Sequence, residues 1–494
     1  MYYAVTAGGM LSPEALGAAG GQGHRPDGGA ATGWATGNGD GMPDELDALC
    51  DALPEGRVIT DPDIMDAYRR DQTAVVTAGQ PRCVVLARST AEVAATLAWA
   101  QQNRVAVVPR GGGTSLAGGS TAADGCVMLS LVRMDAITEL DPANELAVAE
   151  AGVLNADLDR AAAAHGLMYP PDPSSYEIST IGGNLATNAG GLRCVKYGVT
   201  RDSVLGVEVV LAGGRTLRTG RRTVKGVTGY DLTGLFVGSE GTLGVITSAT
   251  LRLRPRPASY PRTIAAGFTS FAAGARAVTA ILAERLAPSM LELMDRSTLH
   301  AIDEWKSTGF DGIEALLIAQ DDGGGGDGAA EMARLCLAEG ASMAEVSATE
   351  AESRQLLDLR RLSYPAVERL GMALVEDVCV PRSRLPEMVE RIEQAARGHG
   401  VFIATVAHAG DGNLHPVFVF DRGLAEVPAP VWAAADEVFG AALELGGTLT
   451  GEHGVGLIKR RWLRQEIGDE AMAVHHAIKD ALDPLGIMNP GKVL

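Results

Sequence analysis

His408 and His415 flank a tight Gly-Asp-Gly-Asn turn within VAHAGDGNLHP (406–416), and Glu452 and His453 follow on a second Gly-flanked loop, TGEHGVG (450–456). Two imidazoles and a carboxylate are a credible ligand set for a divalent ion, which leaves His453 over as a candidate base. The chain has nine histidines and six lie elsewhere, so composition does not account for the cluster. The competing reading is a pair of satisfied loop histidines near a hairpin, and spacing alone does not separate the two.

Three small-residue segments upstream point to a large ligand. PRGGGTSLAGG (109–119) follows a strand directly, and its consecutive glycines let amide N–H groups converge into a nest suited to a pyrophosphate. Thr114 and Ser115 add hydroxyls. The loop is neither GxGxxG nor GxxxxGK[ST], which excludes a Rossmann or Walker assignment. Residues 169–198 hold two further Gly-Gly pairs, and GYDLTGLFVGSEGTLGVIT (229–247) adds a third segment. A large planar cofactor approached by backbone from several sides explains all three better than turns between strands do.

The elements that must carry these loops are readable from periodicity. Apolar strands are expected at 83–89, 106–109, 126–131, 136–141, 146–153, 204–212 and 245–255, with helices at 42–49, 61–68, 90–103 and 155–164: a mixed α+β pattern. After Pro261 the order is strand 263–268, helix 270–286, strand 289–294, helix 295–302, strand 314–319, a solvated DDGGGGDG turn (321–328) and helix 329–339. That order predicts an antiparallel sheet with helices on one face. A helix over 431–445 leads to the TGEHGVG loop, and a C-terminal helix is expected to end at 488–494. Residues 1–41, with twelve glycines and no apolar period, read as a disordered leader or an over-extended start.

With 494 residues the chain exceeds one ordinary core, so two or three domains are expected. The formal charge of −19 argues against nucleic acid or an anionic membrane as partner. Six scattered cysteines without a CxxC make a cysteine-ligated cluster improbable and fit a reducing cytoplasm. No apolar run is long enough to span a bilayer, so a cytoplasmic protein is expected, with peripheral membrane association left open.

PRGGGTSLAGG, DPSS with IGGNLATNAGG, GSEGTLGVI, HAGDGNLHP, GEHGVG and the terminal MNPGKVL occur in family order. Through them the chain resembles the FAD-linked oxidoreductases of the vanillyl-alcohol-oxidase type, in the D-2-hydroxyacid dehydrogenase branch that includes D-lactate and glycolate dehydrogenases. The resemblance spans roughly 43–494. It implies a two-subdomain FAD-binding domain (42–257) and an antiparallel α+β substrate cap domain (258–494) whose last segment returns to the flavin.

It places the FAD pyrophosphate on Arg110, Gly111, Gly112, Gly113, Thr114, Ser115 and Gly118. Pro171, Asp172, Ser174, Thr180, Gly183, Asn184, Asn188 and Gly190 would line the flavin and ribityl chain. Glu240, Gly241 and Ile246 would lie along the adenine, and Asn489 at the flavin edge. No His lies between Arg104 and Ala164, so FAD is expected to be non-covalent. The resemblance further implies Zn²⁺ or Mn²⁺ on His408, His415 and Glu452, His453 as base, and Arg360 (rather than Arg361) on the substrate carboxylate.

The implied reaction is metal-assisted oxidation of a D-2-hydroxyacid, D-lactate foremost, to the 2-oxoacid with hydride passing to flavin N5. Glycolate and D-2-hydroxyglutarate are the alternatives. The 2-hydroxyglutarate group carries a Lys before the strand leading into Asp377 and a polar residue after the second metal histidine. Here Leu374-Val375 and Pro416-Val417 stand there, which favours a small or apolar side chain. Electrons would leave to a quinone, cytochrome, electron-transfer flavoprotein, Fe–S subunit or oxygen, and a homodimer is compatible. From a different class, a metal hydrolase or a non-catalytic flavoprotein subunit is the alternative.

Overall fold

In the computed structural model, residues 42–310, 312–323 and 327–494 are described; the expected leader and the middle of the DDGGGGDG turn lie outside them. Helix Met42–Ala52 opens the described chain, and residues 49–494 form one unit.

The first sheet is short and mainly parallel. Strands Cys83–Leu86, Val127–Ser130 and Val107–Arg110 run side by side in that order, with Val58–Ile59 antiparallel on the outer edge. Their continuous apolar runs are what a sheet covered on both faces requires. Helix Thr90–Asn103 is set by Ser89, whose hydroxyl accepts from Glu92 N at 3.2 Å. The strand Val107–Arg110 runs straight into the glycine loop, so that loop lies at the carboxyl end of a parallel strand, where open sheets bind ligands.

The second sheet is antiparallel, in the order Ile137–Asp141, Leu146–Glu150, Val245–Arg252, Val204–Val210, Thr216–Arg218. Helix Ile181–Thr187, from the IGGNLAT segment, buries Ile181 and Leu185 in the core beneath it. Thr180 caps this helix by accepting from Gly183 N at 3.2 Å, and Asn188 ends it in the left-handed region at φ 52°.

The third sheet has eight strands, all antiparallel. Ala341–Val346, Arg262–Phe268, Ala315–Asp321, Met290–Asp295, Phe402–His408, Asn413–Phe420 and Met372–Val375 follow in that order, with Val378–Cys379 also pairing with Asn413–Phe420. The expected succession from strand 263–268 to helix 329–339 is found within a few residues at each boundary.

The expectation of helices on one face is corrected. Ile264, Phe268, Leu293, Leu317 and Phe418 pack with helices Phe271–Ala283, Gly328–Ala338, Leu385–His399 and Ala429–Glu444. Ala265, Met294, Ile318, Val406 and Val417 pack on the opposite face with Arg296–Lys306 and Ser363–Glu368. The central strands are apolar without alternation, so both faces must be covered.

The C-terminal helix also ends earlier than expected. Arg460–Leu482 stops at Asp483, whose carboxylate accepts from Ile487 N (3.0 Å), Met488 N (2.8 Å) and Lys479 Nζ (2.5 Å). The turn so formed sends the tail beside Val107, where Met488 makes a parallel bridge and Asn489 N donates to Val107 O at 2.8 Å. Among the described residues no helix is long and apolar enough to cross a membrane.

Asp483→Ala leaves the Ile487 and Met488 N–H groups, both buried, without their acceptor and takes the carboxylate from the half-buried Lys479. Urea unfolding should show a loss of about 3 kcal/mol. A loss below about 1 kcal/mol, within the range of an ordinary surface change, would mean that the turn is held by other contacts.

Candidate active site

Strands Phe402–His408 and Asn413–Phe420 form a hairpin in which Val406 faces His415 and His408 faces Asn413. Its turn needs Gly412 at φ 79°, where a Cβ would strike Val380 O. The loop bearing Glu452 then closes over the hairpin. Glu452 Oε1 lies 3.0 Å from His408 Nε2 and 3.2 Å from His415 Nε2. Ligand atoms on a tetrahedral zinc, with bonds near 2.1 Å, stand about 3.4 Å apart, so this donor set has the spacing to close on a single ion. The sequence-predicted His408, His415 and Glu452 therefore converge, all three at most slightly exposed.

Behind His408 stands a residue that the sequence reading missed. Glu292 is fully buried, and its Oε1 lies 2.8 Å from His408 Nδ1. That contact assigns the proton to Nδ1 and leaves Nε2 to face outward, the carboxylate–histidine arrangement that orients metal ligands. Burial opposes charge on both partners of the His408–Glu452 contact. Even so, Glu292 and Glu452 hold His408 well above its ordinary value, and His408 holds Glu452 well below the carboxylate range. Glu292 also accepts from Arg360 Nε at 2.8 Å, which brings Arg360, buried, to the cluster. Arg361 instead pairs with Asp358 at the surface and lies over the Tyr176 ring.

His453 stacks on His415 with centroids 4.8 Å apart and 21° between planes. Its Nδ1 is 3.7 Å from Asp377 Oδ1, a carboxylate noticed in the sequence only as part of a longer motif. Burial pushes His453 down to about 4 against the pull of Asp377, so at neutral pH the ring is uncharged and able to accept a proton. Asp377 itself is held well below the usual range: burial would raise it, but Lys459 and the neighbouring imidazoles prevail.

The residues expected to hold a cofactor gather beside this cluster. A Cβ on Gly190 would lie 2.7 Å from Glu452 Oε2, so the segment bearing Asn188 and Gly190 touches the Glu452 carboxylate. Gly111 comes so close to Thr180 that no side chain fits between them. Asn489 Nδ2 donates to Gly119 O (2.9 Å) and Glu240 O (2.7 Å), and the Glu240 carboxylate accepts from Val455 N (2.7 Å) and Gly456 N (2.9 Å).

Several predicted residues also do local work. Ser115 Oγ accepts from Ala117 and Gly119 N, Arg110 donates to Arg70 O, and Asp172 pairs with Arg193 at 3.0 Å. Asn184 accepts from Asn155, and Asn188 accepts from Arg201 N. Gly241 abuts Pro109, and the Ile246 side chain lies in the core while its backbone pairs with Val209. Ser120 Oγ, next to the glycine loop, and Asn489 Oδ1 are buried without a partner, which fits a polar group lying along these loops.

A small open recess, with room for little more than a water molecule, borders the same region. Leu116 of the glycine loop, Ile458, Tyr364, Ala373 and Val375 line it, and none of its lining residues is charged. Val375 pairs with Val417, which shares a strand face with His415 two residues away.

Two family models match the chain: the FAD binding domain over residues 81–220, and the C-terminal domain of FAD linked oxidases over 258–493. The glycolate oxidase subunit GlcD of Bacillus subtilis is 42% identical over 418 residues, 84% of this chain and 89% of that protein. The chain belongs to the FAD-linked oxidase family. A D-lactate dehydrogenase of Archaeoglobus fulgidus is 35% identical, covering 91% of this chain and 98% of that one. The structure of p-cresol methylhydroxylase with substrate bound superposes with a TM-score of 0.71 over 91% of this chain and 96% of that chain, at 18% identity, which shows the shared vanillyl-alcohol-oxidase-type fold. The protein is thus an FAD-dependent oxidoreductase, and the hydrolase reading falls away.

Burial raises Glu240 to about 7, from an ordinary 4.5. Since the folded value is the higher, the stability contributed by protonation is full below about 4.5 and disappears as pH rises through about 7. Glu240→Gln removes the charge and keeps one of the two acceptor oxygens that serve Val455 and Gly456. Between pH 5 and pH 8 the wild type should lose stability relative to this variant, on the order of 3 kcal/mol, in urea unfolding. Parallel pH dependence of the two proteins would contradict it.

Proposed function

We propose that the protein oxidises a D-2-hydroxyacid with a small, uncharged side chain to the 2-oxoacid, D-lactate first and glycolate second. The observation that carries the reading is the contact between Glu452 and Gly190. A hydroxyacid gripped at His408, His415 and Glu452 is thereby held against the segment expected to line the flavin. The names of the relatives, glycolate oxidase subunit and D-lactate dehydrogenase, support the substrate class.

Residues 110–119, 171–174, 180–191, 240–246 and Asn489 would hold FAD, without a covalent link. The chemistry FAD supplies when bound is acceptance of two electrons with the C2 hydrogen. A Zn²⁺ or Mn²⁺ on His408, His415 and Glu452 would supply Lewis acidity that lowers the pKa of the substrate hydroxyl.

The protein's own residues do the rest. His453, neutral and stacked beside His415, accepts the hydroxyl proton. Arg360, with Nε turned to Glu292, offers its terminal nitrogens to the substrate carboxylate and so fixes which face of C2 is presented. The uncharged recess beside Val375 takes the C2 substituent. Electrons then pass to an outside acceptor: a quinone, a cytochrome, an electron-transfer flavoprotein, an Fe–S subunit or oxygen.

Anaerobic D-lactate should bleach the flavin of the wild type within seconds. His453→Ala should stay yellow with at least a hundred-fold slower bleaching, in keeping with the usual contribution of a general base; unchanged bleaching removes His453 from that role. Stripping metal with EDTA should abolish bleaching and added Zn²⁺ or Mn²⁺ restore it, whereas full activity in demonstrably metal-free protein rules the ion out. In a panel of D-2-hydroxyacids, D-lactate and glycolate should exceed D-2-hydroxyglutarate in kcat/KM by a hundred-fold or more, because a second carboxylate would enter an uncharged recess. A preference for the dicarboxylate would refute the small-substituent assignment.

A further inference from the structure

Glu452 and His453 are neighbours in sequence but are asked to do different things. One must reach the two histidines of the hairpin while the other presents a free ring nitrogen to the substrate. A Gly-flanked loop does not hold such an arrangement unaided. The backbone N–H groups of Gly451, Glu452 and His453 all point at a single oxygen, Asp377 Oδ2, at 2.7, 2.8 and 3.3 Å. Thr450 donates its hydroxyl to the other oxygen at 2.9 Å. The loop is folded around one carboxylate.

That carboxylate is fully buried, and a counter-charge comes with it. Lys459, seven residues beyond Glu452, pairs with Asp377 Oδ1 and donates to Asp377 O at 3.0 Å while being almost fully buried itself. The same ammonium lies 3.6 Å from Glu376. Asp377 follows the strand Met372–Val375, which pairs with the strand bearing His415. Its position is therefore tied to one metal-ligand strand, while its oxygens organise the loop carrying the third ligand. Gly451 completes the fit, since a side chain there would run into Asn413 at the foot of the hairpin.

We propose that Asp377 is the positioning residue that presents Glu452 to the metal site and His453 to the substrate together, with Lys459 as its fixed counter-ion. This rests on the metal-binding reading given above. A leucine in place of the aspartate offers no acceptor to the three N–H groups or to the Thr450 hydroxyl. The loop then has nothing to close around, and Glu452 leaves its place between His408 and His415.

The test is Zn²⁺ affinity of the metal-stripped, full-length protein, measured by competition with a chromophoric chelator, for wild type, Asp377→Leu and the double variant Asp377→Leu with Lys459→Met. The double variant carries no stranded buried ammonium, so it keeps the test open if the single variant folds poorly. Both variants should bind Zn²⁺ roughly 10- to 100-fold more weakly than wild type, as outer-shell substitutions do. In the double variant that loss should accompany a melting temperature close to wild type, which a purely structural role would not give. Wild-type affinity in the double variant overturns the positioning role alone. Absence of Zn²⁺ uptake by the wild type overturns the metal reading and this inference with it.

Discussion

Everything at the site depends on where the Glu452 carboxylate comes to rest. One of its oxygens faces two imidazoles of the third sheet's hairpin, and the other faces Gly190 of the second sheet's helical segment. Neither sheet alone makes the site. The contact exists because Gly190 has no side chain and because a carboxylate between two histidines tolerates burial that an unpaired one would not. Glu292 and Arg360 extend the arrangement as alternating charges, so His408 is held from behind by a carboxylate that never reaches solvent.

The two halves are joined a second time through Glu240. Its backbone and side chain link the terminal Asn489, the Val455–Gly456 amides and the neighbourhood of Gly119. The glycine loop, the GSEG turn and the GEHGVG loop thus share one buried acid as their common point. Small residues recur in all three because backbone has to approach backbone there, whatever else it approaches.

Much of this was legible in the sequence. Continuous apolar runs such as CVVL and ALLIA marked the strands, and the helix expected over 90–103 is found at Thr90–Asn103. The metal-ligand candidates were visible because histidines and glycines are rarely grouped by chance. Glu292 was not recognised, although an acid between Leu291 and Leu293 in the middle of the strand MLELMD is itself a signal that something pairs with it. Asp377 was harder to see. Its role is to gather amide groups of a loop over seventy residues away, and backbone donors leave no mark in sequence. The second helical face escaped because Arg296–Lys306 and Glu350–Arg361 mix many charges with the residues they bury, and only the uninterrupted burial of the facing strands demands it.

The tail has a consequence for how the protein is assembled. Asn489 closes on Gly119 across 370 residues, and Val107 lies against Met488 in the same sheet. Contacts of such separation form after local ones, since the loop entropy must be met first. The proposed cradle for the cofactor is therefore among the last parts of the molecule to be finished, although its glycine loop is among the first to be synthesised. Loading of FAD then reports that the whole intervening chain has folded, and the bound flavin, by mass action, holds shut the ring of contacts that made room for it.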